Sequence, residues 1–138
     1  MRIKAKIVLL FIISGCFTIE SYGQNFIGMQ KSEIIEVMKD SHKNFKLNTS
    51  YVNPHYNYLK YEDPINEITV LFFLSDEDEC KMIRKMYDYS NINDVEKELN
   101  ENYTKVEKNK WEYRQLLQKY SVELTEGDWF FTVTIKKK

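Results

Sequence analysis

Residues 58–87 carry the pattern that most limits how this chain can fold, because they predict three consecutive antiparallel strands. In the middle strand, residues 68–74, apolar side chains occupy both alternating faces, which is typical of a strand covered on both sides. We therefore expect this strand to lie in the interior of a sheet. Residues 75–79 are expected to form a solvated turn, since a calcium loop needs glycine at the sixth position, where Lys81 stands.

The same strand pattern occurs a second time further along the chain. A Trp-Glu-Tyr run begins at Trp111, which is 52 residues (111 − 59) after the Leu-Lys-Tyr run that begins at Leu59. We therefore expect an α+β fold built from tandem αβββ–αβββ units, in which the strands form one antiparallel sheet and two short helices pack on one face. The two pseudo-repeats cover about residues 28–89 and 90–138.

A short amphipathic helix is predicted at the start of each repeat. Ile34 and Met38 fall on one helical face of the first segment, and Val95 and Leu99 lie one turn apart in the second. Asn93 is a suitable N-cap for the second helix, because a glutamate follows three residues later in a capping-box arrangement.

The last hairpin has a clear turn and strand pattern. The Glu-Gly pair that ends at Gly127 predicts a two-residue turn in which the glycine supplies a positive φ. In the strand that follows, the period of two places Trp129 and Phe131 on one face and Phe130 on the other.

Residues 1–23 have the layout of a secretory signal peptide. Three basic residues precede an apolar run that is too short to span a bilayer, which takes about 20 residues. Small residues favour cleavage after Gly23, leaving residues 24–138 as a single domain in the periplasm or the medium. A membrane-anchored lipoprotein is the alternative, because an Ile-Ser-Gly sequence precedes Cys16 as in a bacterial lipobox. Mass spectrometry of the mature N-terminus distinguishes the two.

Charge and cysteine content exclude further classes of protein. The chain has 20 basic and 21 acidic residues, and cleavage after Gly23 would leave 17 basic and 20 acidic residues. This balance argues against binding to nucleic acid, which usually needs a basic field. After cleavage one cysteine would remain, Cys80, which opens an apolar strand and is expected to be a buried thiol rather than a nucleophile.

We find no catalytic, cofactor-binding or metal-binding signature in the sequence. His42 and His55 lack the spacing of a zinc pair, and no glycine-rich phosphate loop is present. The carboxylates fall in turns and on solvated helix faces, whereas general acid–base catalysis needs a buried, perturbed pair. We therefore expect a protein that is not an enzyme and holds no cofactor or metal, with an unrecognised hydrolase as the remaining alternative.

Aromatic residues indicate a binding function instead. The chain has ten tyrosines, more than one small core needs, and tyrosine combines a large contact area with a polar tip. If the helices cover one face of the sheet, Leu71, Phe73 and Phe130 lie on the other. These three residues, together with Tyr56 and Tyr58, form the candidate binding face.

Two kinds of ligand suit such a surface. An exposed aromatic sheet face favours a protein partner in the cell envelope, whereas the tyrosines of residues 44–61 would suit a small molecule or a glycan. A second layer or a dimer could instead bury the face. The exposure of Leu71 and Phe73 therefore decides between a binding face and a thicker core.

The helix-then-strands layout resembles two groups of small exported proteins. Gly28-Met29 before a short amphipathic helix, followed by aromatic-x-aromatic strands such as Trp111-Glu-Tyr113, is similar to the SmpA/BamE-like lipoproteins and to the tandem-repeat beta-lactamase-inhibitor-protein-like fold. This resemblance implies a non-enzymatic envelope protein that binds another protein through a sheet face. It assigns only structural roles, to Gly28 and Met29.

Overall fold

The computed structural model describes residues 25–49 and 55–138, which form an α+β fold with one eight-stranded antiparallel sheet and two helices. A 3-10 turn, Tyr89–Asn91, leads into the second helix. Neither helix in this part of the chain is long and apolar enough to cross a membrane. The elements in chain order are α1 (Lys31–Ser41), β1 (Lys46–Leu47), β2 (Tyr58–Asp63), β3 (Ile68–Leu74), β4 (Cys80–Asp88), α2 (Ile92–Asn102), β5 (Thr104–Glu107), β6 (Lys110–Gln115), β7 (Gln118–Glu126) and β8 (Phe130–Lys137).

The strand order is β1-β2-β3-β4-β8-β7-β6-β5, so each helix is followed by a meander of four strands. The two meanders meet where β4 pairs antiparallel with β8. Our expectation of three strands per unit was therefore one too few, because β1 and β5 are short edge strands whose residues are all exposed. The predicted interior position of β3 is confirmed, since it pairs with β2 on one side and β4 on the other.

One hydrophobic core joins both helices to a single face of the sheet. Ile34 and Met38 from α1 are buried in the same cluster as Val95 and Leu99 from α2. The strands supply alternate residues to this core, such as Phe72 on β3. The predicted apolar helix faces are thus confirmed, and the opposite face of the sheet has no helix on it among the described elements.

The segment before α1 is attached to the start of β4. The Gly28 amide donates to the Cys80 carbonyl at 2.8 Å, and the Cys80 amide donates to the Met29 carbonyl at 2.9 Å. Gly28 has a φ of +91°, a conformation that side-chain-bearing residues rarely adopt. The glycine therefore lets the chain turn from this pairing into the helix.

The start of α2 differs from our prediction. The Asp88 side chain accepts a hydrogen bond from the Ser90 amide at 2.9 Å, and the 3-10 turn that follows runs directly into the helix. The helix thus begins at Ile92 with Asn91 at the N-cap position, and no side chain caps it. Asn93 already lies inside the first turn, so its prediction as the N-cap was wrong.

The last hairpin also differs from its predicted form. Glu126 pairs with Phe131, so four residues separate the paired positions rather than two. Gly127 does not have a positive φ; a Cβ there would instead lie 2.8 Å from the Phe130 carbonyl oxygen. Trp129 stands outside the strand and is 86% exposed, so its prediction as a facemate of Phe131 was wrong.

Candidate binding site on the open face of the sheet

Residue pairing across the sheet determines which side chains share the face opposite the helices, called here the open face. Leu71 and Phe73 lie on it, because they alternate with the core residue Phe72 along β3. The open-face pairs that join β2, β3 and β4 are Tyr58–Phe73, Lys60–Leu71, Glu62–Thr69, Phe73–Met82, Leu71–Arg84 and Thr69–Met86.

These side chains surround a shallow hollow of about 550 Å³ on the sheet surface. Tyr56 is 65% exposed, and every other lining residue is half-buried. The hollow is therefore a depression that opens to solvent rather than an internal cavity. Its lining residues are Tyr56, Tyr58, Lys60, Leu71, Phe73, Met82, Arg84 and Met86.

Aromatic rings and two cations shape the hollow. The Tyr58 and Phe73 rings lie 6.2 Å apart between centroids, inclined at 45°. The Arg84 guanidinium carbon lies 5.5 Å from the Phe73 ring centroid, within the range of a cation–π contact. The second cation, Lys60, forms an ion pair with Glu62, with 3.1 Å between the nitrogen and the oxygen.

Arg84 lacks such an acidic neighbour. Across the sheet it stands between Leu71 on β3 and Thr134 on β8. Within residues 25–49 and 55–138, no carboxylate oxygen lies within 4.0 Å of its guanidinium. The hollow therefore presents a positive charge on an apolar floor.

The other half of the open face is mainly polar. Glu112 on β6 is held by Lys119 at 3.5 Å and by Lys138, and the Lys138 hydrogen bond is the main cause that keeps the pKa of this carboxyl below its ordinary value. The open-face residues of β7 and β8 in this half are Lys119, Ser121, Glu123, Thr125, Phe130, Thr132, Thr134 and Lys136, and Phe130 is the apolar member of this set. Apolar character on the open face is thus concentrated on β2, β3 and β4.

The structure brings together four of the five residues of the candidate binding face. Leu71, Phe73, Tyr56 and Tyr58 all line the hollow. Phe130 is 45% exposed and lies opposite Asp88 at the far end of β4, so it shares the open face but not the hollow. Cys16, the residue proposed for lipidation, lies outside the described residues.

Our sequence reasoning missed four lining residues of the hollow. Met82, Arg84 and Met86 occupy alternate positions of β4, opposite in parity to the buried Ile83. The alternation along β4 is visible in the sequence. The sequence does not show, however, which of the two alternating sets of side chains faces the core. Lys60 was missed because only aromatic and apolar residues were considered for the candidate binding face.

Titratable groups on the helix-covered side have altered pKa values because of burial. Cys80 is 1% exposed, as predicted for a buried thiol, and burial raises the pKa of this thiol to about 11. Burial lowers the pKa of the Lys85 ammonium, and the Glu98 carboxylate on α2 partly offsets this effect. Burial likewise raises the pKa of Glu98. These groups lie on the side of the sheet away from the hollow.

No group of three or more histidine, cysteine, aspartate or glutamate side chains in the described ranges could hold a metal ion. Comparisons with family models, with curated proteins and with solved structures gave no match. The geometry of the hollow is therefore the observation on which a functional proposal rests.

Proposed function

We propose that this chain is an exported, non-enzymatic protein of the cell envelope that binds a protein partner in the hollow of its open face. The observation that supports this proposal is the contrast between the two halves of that face. One half presents Leu71, Phe73 and two methionines around a hollow, whereas the other presents mainly serine, threonine and charged side chains, with Phe130 at the start of β8. An apolar patch bordered by polar residues is typical of an interaction site.

We further infer that the two halves arose as a tandem repeat, so that residues at corresponding positions of the two halves can be compared. The order of helix and four strands is the same in both. With the 52-residue offset, Leu71 corresponds to Glu123 and Phe73 to Thr125. The same fold thus tolerates polar residues at both positions, so folding alone does not require the apolar ones.

The shape of the hollow favours a protein partner. Small-molecule pockets usually enclose most of the ligand surface, whereas this hollow is an open depression on the sheet surface. A protein partner can insert an anchoring side chain into a shallow depression and cover the rest with its own surface. Two methionines in the lining also suit this role, since methionine adapts to irregular partner surfaces.

The test compares two substitutions at corresponding positions. Phe73→Asp places a charge in the hollow, and Thr125→Asp places the same charge on the polar half of the same face. We expect Phe73→Asp to reduce capture of the partner from an envelope extract by about tenfold or more, because the apolar contact is lost and a charge is desolvated. Thr125→Asp should leave capture unchanged.

Circular dichroism and thermal unfolding first confirm that both variants fold. Mass spectrometry then identifies the proteins captured by the wild type and compares their amounts on each variant. Equal capture of the same proteins by wild type and Phe73→Asp would contradict the proposal, as would equal losses in both variants.

A small molecule or glycan is the second candidate ligand. The specific observation in its favour is that Tyr56 and Tyr58, from the tyrosine-rich residues 44–61, both line the hollow. Saturable binding of a sugar or lipid by the purified protein, lost in Tyr56→Ala and Tyr58→Ala, would favour this function over a protein partner.

A further inference from the structure

Arg84 places a positive charge among the apolar side chains of the hollow. An arginine on an apolar floor gains little from its surroundings, since the Phe73 ring at 5.5 Å is the neighbour that attracts its charge. In one half of the sheet Leu71 pairs with Arg84, and in the other half Glu123 pairs with Thr134. Because Leu71 corresponds to Glu123, the residue that corresponds to Arg84 is the uncharged Thr134. The fold therefore does not need a cation at this position.

Two acidic side chains of the open face lie two strands away from Arg84. Glu123 on β7 is exposed, and Glu62 on β2 is already engaged. One carboxylate oxygen of Glu62 pairs with Lys60 at 3.1 Å, and the other accepts a hydrogen bond from Asn48 at 3.2 Å. Glu62 therefore serves Lys60 rather than Arg84. The positive charge of Arg84 remains available to an acidic group that enters the hollow from outside.

We propose that the protein partner inserts a segment in which an aspartate or glutamate, bound by Arg84, is flanked by large apolar side chains that pack on Leu71 and Phe73. This inference rests on the proposed function and specifies the partner chemistry. The planar guanidinium can donate two parallel hydrogen bonds to one carboxylate, an arrangement that fixes orientation as well as affinity. The apolar floor strengthens these bonds by excluding water once the segment is bound.

A random peptide library displayed on phage provides a probe that assumes no partner. Selection on the full-length exported protein should enrich peptides that carry an acidic residue between large apolar residues. Those peptides should bind Arg84→Gln about tenfold more weakly, because the charge-assisted bonds are lost. Selection on Arg84→Glu should instead enrich peptides with lysine or arginine.

Arg114→Glu is the matched control. Arg114 is an exposed arginine on the open face of β6, opposite Lys119, and it does not line the hollow. Selection on this variant should enrich the same acidic and apolar peptides as selection on the wild type.

The possible failures are distinguishable. Peptides that need an intact Phe73 but show no acidic preference, or that bind Arg84→Gln as well as wild type, would overturn the inference and leave the binding proposal standing. Acidic peptides lost equally in Arg84→Glu and Arg114→Glu would overturn it as well, since general charge attraction would then explain them. If no enriched peptide depends on Phe73, the proposed function fails together with the inference.

Discussion

Replacing Trp111 by alanine is expected to lower the free energy of unfolding by about 3–5 kcal/mol, the range for removal of a large buried aromatic side chain. Trp111 on β6 is 1% exposed and is among the largest fully buried side chains of the core. Its indole nitrogen donates to the Asn100 side-chain oxygen at 2.9 Å, which joins the sheet to α2. The substitution therefore creates a cavity and also removes a link between the two layers.

Urea unfolding followed by circular dichroism measures this loss, and Trp129→Ala is the matched control. Because Trp129 is 86% exposed, its removal should change the free energy of unfolding by no more than about 0.5 kcal/mol. A loss below about 1 kcal/mol in Trp111→Ala, or similar losses in both variants, would show that the core is not arranged as described.

Asp63→Ala should destabilise the protein by about 2–3 kcal/mol at neutral pH, because it removes several hydrogen bonds to one buried carboxylate. Asp63 is 3% exposed and closes the turn between β2 and β3. One of its oxygens accepts from the Ile65 and Asn66 amides at 3.0 and 3.1 Å, and the other accepts from the Asn66 side chain at 2.7 Å. The alanine variant leaves these donors without their partner.

The stabilisation by Asp63 should also depend on pH. The hydrogen bond from the Asn66 side chain is the main cause that lowers the pKa of this carboxyl below its ordinary value of 3.8. The stabilisation is therefore fully present above pH 3.8 and is lost as the pH falls through the lowered pKa of the folded protein. Asp63→Asn cannot ionise at this position, so its free energy of unfolding should lack this pH dependence. If the free energies of unfolding of wild type and Asp63→Asn changed in parallel with pH, the prediction would be wrong.

Periodicity predicted the elements that have a strong apolar pattern. The helix faces with Ile34 and Val95, and the alternating strands around Phe72 and Phe131, are found where the sequence indicates them. The short edge strands were harder to recognise, because Lys46–Leu47 and Thr104–Glu107 are exposed and carry no apolar alternation. Local patterns also do not show that β4 pairs with β8, since that contact joins residues far apart in the chain.

The candidate site was predictable only in part, and the tyrosines show why. Tyr61 and Tyr120 are buried in the core, and Tyr113 stacks between Tyr103 and Tyr120 at centroid distances of 4.9 and 4.8 Å. The tyrosine count thus overstated the aromatic surface. The position of Arg84 in the hollow follows from strand pairing, which places this residue opposite Leu71.

Site-specific photo-cross-linking in cells of the native host tests the central claim most directly. A photoreactive phenylalanine derivative replaces Leu71 in one variant and Thr125 in another, so that both probes lie on the open face but only the first lies in the hollow. We expect irradiation to link position 71 to a distinct partner protein and to give no such product from position 125. Absence of a product at position 71, or the same product from both positions, would contradict a protein-binding site in the hollow.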